Sequence, residues 1–283
     1  MNYQAELVSL KGRLERVIQG FKPIDGAVTN TSMKQCETHG EFECHVRYME
    51  KMPTIKTSTE CPHCLNERIT EIETRIARHD EWVSADTLRN LMIEFDVPKR
   101  FEKVNLDNYD PVNREAQRCL KVCKAYAKKW PDRLKQGGGL VMCGLPGTGK
   151  NHLAIAIGKH VIQEHQSSVK FTSAIKIARD FKSTWSKSSD QTESEVINRY
   201  SAPDLLIIDE IGVQFGSDAE KIILFEIINN RYESMKPTIL LSNLPKDELS
   251  EFIGERVLDR MNDGGGCTLM FTWESYRSRQ PAA

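Results

Sequence analysis

The sequence predicts an α/β domain built on a mostly parallel sheet, preceded by a small helical module that binds a metal. Three observations predict it. Short, near-continuous apolar runs alternate with helical segments after about residue 100, one of these runs leads into a glycine-rich loop, and four cysteines crowd between residues 36 and 64. At 283 residues there is room for one full α/β domain and a smaller module. The hydrophobic fraction of 39% and charged fraction of 28% fit a soluble globular chain. A formal net charge of -1 excludes a protein that is basic as a whole, so any nucleic-acid site has to be a local patch. The first residues, MNYQAELVSLKGRLERV, are too charged for a secretory signal. No apolar run approaches the roughly 20 residues of a membrane span, so a cytoplasmic protein with no membrane partner is expected.

From the N-terminus, Leu7, Leu10, Leu14, Val17 and Ile18 recur at helical spacing, which predicts an amphipathic helix over residues 3–19. Phe21-Lys-Pro-Ile-Asp-Gly26 breaks it. Next come Cys36-Glu-Thr-His39 and Cys61-Pro-His-Cys64, two pairs with two residues inside each. Short pairs fold into turns that aim both ligands at one ion, and the longer loop joins two turns into a tetrahedron. In a reducing compartment such clustered cysteines read as a metal site rather than as disulfides. The expected set is Cys36, His39, Cys61 and Cys64 around a structural Zn²⁺, with Cys44, His45 and His63 as rivals for one place. Leu65, Ile69, Ile72 and Ile76 then mark one face of a second helix. The predicted organisation is a helical, zinc-binding domain over 1–80, a linker over 81–100 ending at Val97-Pro98-Lys99-Arg100, and the α/β domain over 101–283.

Five apolar runs carry the larger domain: Leu140–Cys143, Val169–Thr172, Leu205–Ile208, Thr238–Leu241 and Thr268–Phe271. Unbroken apolar strands between helices argue for a parallel sheet covered on both faces. The first run leads into Gly144-Leu-Pro146-Gly147-Thr148-Gly149-Lys150-Asn151, and His152 continues into a helix. Glycines let backbone N–H groups turn around phosphate oxygens, the helix points its positive end at them, and Lys150 reaches the β- and γ-phosphates of ATP. The pattern ordinarily has Ser or Thr after the lysine, to hold Mg²⁺. Asn151 instead offers an amide oxygen, still a hard ligand. The run Leu205–Ile208 delivers Asp209 and Glu210 to the sheet edge, the Asp for magnesium and the Glu to polarise the attacking water. Asn243 ends the next run and would face the γ-phosphate if its strand lies beside these two. Arg256 and Arg260 fall four apart on one helix, where an arginine could meet developing phosphoryl charge or simply pair with Glu255 and Asp259. Arg277 is similarly open.

In this order the segments GLPGTGKNHLA, DLLIIDEIGVQ, GERVLDRM and FTWESYRSR resemble the DnaC-type replicative helicase loaders, which are AAA+ ATPases, over residues 95–280. Asn151 then agrees with the family pattern. The resemblance implies an AAA+ sheet with no separate lid domain and makes Lys150 and Asn151 Walker A residues, Asp209 and Glu210 Walker B, and Asn243 sensor 1. It also makes Arg260 the finger that completes a neighbour's site, and Arg277 the sensor 2 arginine. Copies would self-assemble into an open spiral on a hexameric DnaB-type helicase, open its ring and deliver it onto single-stranded DNA, with slow, DNA-stimulated hydrolysis. The family places DNA-facing helices between Lys170 and Lys187, where Lys176, Arg179, Lys182, Lys187, Phe181 and Trp185 stand; Ile175, Ala178, Phe181 and Trp185 equally fit a core face. The Cys-x2-His-Gly and Cys-Pro-x-Cys arrangement departs from DnaC and resembles loaders of phages and mobile elements. By position, residues 1–80 become the expected helicase adaptor. Two alternatives are an IstB-like transposition helper that binds duplex DNA, and an adaptor that binds ATP without hydrolysing it.

Overall fold

The computed structural model describes residues 2–186, 190–212 and 218–276, so Lys187 and Arg277 lie outside the described residues. The chain divides into two compact units, Met1–Asp86 and Thr87–Ala283.

In the first unit, helix α1 (Tyr3–Gln19) is capped by Asn2, whose side-chain oxygen accepts from the Ala5 amide at 3.2 Å. Its Leu10 packs with Leu65, Ile69 and Ile72 of helix α2 (Pro62–Phe95) to form a small apolar cluster. Between the helices, β1 (Ala27–Cys36), β2 (Gly40–Met49) and β3 (Met52–Ser58) form an antiparallel sheet in that order. The domain expected as helical is therefore helical only at its two ends. The sheet escapes a sequence reading because almost every side chain of β1 and β3 is exposed, which leaves no apolar alternation to detect.

The stretch expected as a linker over 81–100 is also different: α2 continues without a break to Phe95. In the second unit Leu88, Leu91, Met92 and Phe95 follow one another at helical spacing and pack on the main core, which holds the helix together past residue 81. Pro98 and a short 3-10 turn at Lys99–Phe101 come only after it.

Among the described residues the second unit holds five strands: β4 (Leu140–Gly144), β5 (Val169–Ser173), β6 (Leu205–Ile211), β7 (Thr238–Ser242) and β8 (Cys267–Phe271). All five fall where the apolar runs predict them. They form one parallel sheet in the order β5-β6-β7-β4-β8. Alternate residues feed two cores. Leu140, Met142, Ile207 and Leu241 join the layer of α3 (Arg114–Lys128), α4 (Trp130–Gln136) and α5 (Lys150–His165) on one face. Val141, Cys143, Ile208 and Leu240 join the layer of α6 (Ala174–Ser183), α7 (Glu193–Ser201), α8 (Asp218–Glu233), α9 (Lys246–Ile253) and α10 (Glu255–Asn262) on the other. Burial on both faces is why each strand is apolar throughout rather than alternating. Fully buried Arg231 ties this layer to the loops: its guanidinium donates to the carbonyls of Pro203 at 2.8 Å and Pro237 at 2.6 Å, and to Tyr200, Ser201 and Asp204 besides.

Candidate functional site

The strand order brings the ends of β4, β7 and β6 side by side, at the carboxyl edge where ligands bind in open α/β sheets. A cavity of about 480 Å³ opens there, lined by Pro146 through His152, Asp209, Glu210 and Asn243. Its size is in the range of small-molecule sites. Asn243 follows β7, which lies between β6 and β4, so the condition set on it by the sequence is met. Gly144 stands just below the cavity, where a Cβ would fall 2.4 Å from the Phe271 carbonyl oxygen. Its φ of +119° also needs glycine.

The loop is held from outside as well as by its own bonds. Thr148 donates its hydroxyl to the Leu145 carbonyl at 2.8 Å, and the Thr148 carbonyl accepts from the Tyr109 hydroxyl at 3.0 Å and the Trp273 indole at 3.2 Å. Lys150 donates to the Gly144 and Leu145 carbonyls at 2.8 and 2.7 Å, with its ammonium drawn back along the loop. Burial lowers its pKa to about 8, and the nearby Asp209 carboxylate offsets this only in part. Burial likewise raises Asp209, against the Glu210 amide and the Asn151 side chain that both donate to it. Asn151 thus turns its N–H toward Asp209, which places an amide and a carboxylate, both with hard oxygen donors, together beside the loop; such a pair suits magnesium. Glu210 sits at φ +60°, where the β6–β7 register shifts between Ile208 and Ile211. That irregularity re-aims the side chain from the sheet into the cavity. His152 reaches the Asn105 carbonyl at 3.0 Å and packs edge-on to Tyr109; burial lowers its pKa.

Sequence reasoning missed the wall formed by Tyr109, Trp273 and the segment from Arg100 to Val112. Nothing in their spacing signals a site, because they come to it from opposite ends of the domain. Arg260 does not line this cavity. It sits half-buried on α10, held by α8, and among the described residues it pairs with neither Glu255 nor Asp259. On α6, Lys176, Arg179 and Lys182 are exposed while Phe181 is buried in the core. Trp185 is 58% exposed, with its indole N–H donated to Glu193 at 2.7 Å. The segment therefore offers cations and one ring rather than two.

In the first unit, Cys36, His39, Cys61 and Cys64 converge, with ligand atoms all within 4.8 Å of one another. Cys36 Sγ is 3.5 Å from Cys64 Sγ, and His39 Nδ1 is 3.3–3.7 Å from the three sulfurs. Zinc bonded at about 2.3 Å to sulfur and 2.0 Å to nitrogen needs tetrahedral ligands roughly 3.5–3.8 Å apart, so the set fits that ion. The tight β1–β2 turn, with Cys36 paired to Gly40 at φ +78°, delivers the first two, and the start of α2 delivers Cys64. His39 Nε2 meets Glu67 at 3.1 Å, the outer carboxylate that metal-bound imidazoles usually have. Backbone N–H groups of Thr38 and His39 lower the Cys36 thiol to about 6, and the Cys36 contact raises His39 to about 9. None of the three rivals is in the converging set. Cys44 is buried against the Thr59 carbonyl, His45 bonds to Thr31, and the His63 ring is 5.4 Å from that of His39.

A parallel sheet in this order, with a glycine-rich loop, an acidic pair and an asparagine around one cavity, defines a P-loop nucleotide-binding protein of the AAA+ class. IstB-like ATP binding proteins match residues 102–281, and the chain belongs to that IstB/DnaC family. It is 38% identical over 173 residues to the replicative helicase loader DnaC of Buchnera aphidicola subsp. Acyrthosiphon pisum, covering 61% of this chain and 69% of that one. To DnaC of Escherichia coli K12 it is 35% identical over 178 residues, 63% of this chain and 71% of that one. A crystal structure of the DnaC helicase loader superposes with a TM-score of 0.54 at 25% identity, over 62% of this chain and 99% of the other. The family match lies wholly within the second unit.

Proposed function

We propose that this chain is an ATP-dependent loader of a hexameric DnaB-type replicative helicase. The observation that carries the reading is the convergence of Lys150, Asn151, Asp209, Glu210 and Asn243 on one cavity in a chain homologous to DnaC. Loop amides and the Lys150 ammonium hold the β- and γ-phosphates of ATP. Asn151 and Asp209 would hold Mg²⁺, which supplies charge to the same phosphates when bound. Glu210 orients and polarises a water for attack on the γ-phosphorus, and Asn243 fixes that water from the adjacent strand. The bond to the β–γ bridging oxygen breaks to release ADP, and the water's proton moves toward the Glu210 carboxylate. Its presence favours slow turnover over a purely non-hydrolysing adaptor.

Arg260, absent from its own chain's cavity, acts on the site of the next copy in a spiral assembly, and Arg277 on the nucleotide. Single-stranded DNA lies along the cations of α6, with Trp185 as the ring available for stacking. Cys36, His39, Cys61 and Cys64 would hold Zn²⁺ and so keep the first unit folded, and that unit serves as the helicase adaptor. The protein works in the cytoplasm. Native mass spectrometry of the chain mixed with the replicative helicase of its source and ATP tests this reading. A multi-copy complex with the hexamer, lost on deleting residues 1–80 while ATP binding persists, is expected. No complex under any nucleotide condition would instead favour the IstB-like transposition helper, to be examined on duplex DNA.

A further inference from the structure

The setting of Arg260 differs from that of an ordinary surface arginine. Helix α8 buries Ile223, Leu224, Ile227 and Ile228 and leaves Phe225, Asn229 and Tyr232 on its outward stripe, at spacings of four and three. All three side chains close on the Arg260 guanidinium. Its carbon lies 5.6 Å from the Phe225 ring centroid and 5.3 Å from that of Tyr232, and its Nη1 donates to the Asn229 amide oxygen. Each of two holders is itself fixed. Asn229 donates its amide N–H to Glu233 at 2.8 Å, which orients the oxygen toward the arginine. The Tyr232 hydroxyl donates to Asp263 at 2.9 Å. Among the described residues Arg260 makes no ion pair: a neutral amide and two ring faces orient the cation without neutralising it.

That combination is what a cation awaiting an outside anion requires. A carboxylate partner would give the same order but would have to be displaced before the charge could act elsewhere. One turn before the cradle, Ile222 is 63% exposed and Phe225 itself 41% exposed. The guanidinium is thus bordered by apolar surface of the kind that packs against another protein. We infer that Phe225, Asn229 and Tyr232 are positioning residues that pre-orient Arg260 toward the nucleotide phosphates of a second copy of this chain; this rests on the reading of Arg260 given above.

Steady-state ATPase of the full chain with single-stranded DNA tests the inference, using Asn229→Ala, Asn229→Asp and Phe225→Leu beside Arg260→Ala. The cradle variants should lower kcat roughly tenfold or more, with KM and nucleotide binding unchanged, because only an interaction made at the transition state is lost. Asn229→Asp should be at least as damaging as Asn229→Ala, since it keeps the geometry and adds a carboxylate that neutralises the cation. Each variant is then mixed one to one with Glu210→Gln, which cannot hydrolyse but retains its cradle and Arg260. Contacts in a spiral run head to tail, so about one interface in four then joins an intact site to an intact arginine, and activity should recover toward that fraction. A misfolded variant would not recover. Wild-type kcat in the Asn229 and Phe225 variants beside an inactive Arg260→Ala would overturn the cradle alone. Failure of the Arg260→Ala and Glu210→Gln mixture to recover would overturn the action of Arg260 on a neighbour, and absence of turnover in the unaltered chain would overturn both.

Discussion

Raising the pH from 7.5 to 9 should weaken nucleotide binding through one side chain. Lys150 is buried at the start of α5, with its ammonium satisfied by two loop carbonyls and its pKa lowered to about 8. Phosphate binding needs the charged form and, once made, holds it charged. The apparent dissociation constant therefore grows as the free protein loses the proton, by the factor 1 + 10^(pH − 8). Between pH 7.5 and 9 this comes to about eightfold, and further alkalinity adds tenfold per unit. The sign for folding is opposite. The folded pKa lies below the unfolded value, so the unfolded chain binds more protons through that window. This lysine therefore makes the nucleotide-free fold more stable as pH rises from about 8 toward the ordinary lysine value. Fluorescence titration with a labelled ATP analogue measures the first effect, and thermal melts without nucleotide measure the second. Lys150→Met should bind weakly with no slope over this range. An unchanged dissociation constant from pH 7.5 to 9 in the unaltered protein, or the same slope in Lys150→Met, would refute the assignment.

Other perturbations have equally definite outcomes. Arg231→Met removes the donor to five backbone carbonyls in a fully buried site and should cost about 3–5 kcal/mol. For a domain of this size that lowers Tm by roughly 10 °C in a thermal melt. Gly149→Ala puts a Cβ 2.5 Å from the Tyr109 ring at φ +94°, so the loop must shift, and calorimetry should show ATP affinity reduced at least about tenfold. Among the described residues, the buried hydrophobic cluster of the first unit is Leu10, Leu65, Ile69 and Ile72. Zinc removal by a chelator, or Cys61→Ser, should therefore unfold it in circular dichroism and release one zinc per chain, while ATP binding by the second unit persists.

The parts legible in the sequence are those whose chemistry is local. The five strands of the second unit were visible because burial on both faces makes them apolar throughout. Loop residues 144–151 and the pair Asp209–Glu210 were visible because phosphate and magnesium chemistry fixes residue types at short spacing. The same is true of the two metal pairs, each carried by a single turn. What was not legible depends on long-range packing. Tyr109 and Trp273 reach the Thr148 carbonyl from residues 39 and 125 positions away. Strands β1 and β3 are exposed along nearly their whole length, so no apolar alternation marks them, and helix α2 passes the expected boundary because Leu88, Leu91, Met92 and Phe95 pack on the second unit's core. Phe181 and Trp185 looked alike in a helical pattern, yet one is core and the other exposed. The role expected of Arg260 rests on resemblance alone, whereas its setting against α8 needs the fold.

The most direct measurement is helicase loading itself. A replicative helicase of the source organism is presented with a closed circular single-stranded DNA bearing one annealed, labelled oligonucleotide, so that the ring has no free end to thread. Release of the oligonucleotide is followed with ATP, with and without this protein. The expected result is displacement that depends on the protein and is lost with Lys150→Met. Displacement at the same rate without the protein, or undiminished with Lys150→Met, would contradict ATP-dependent loading.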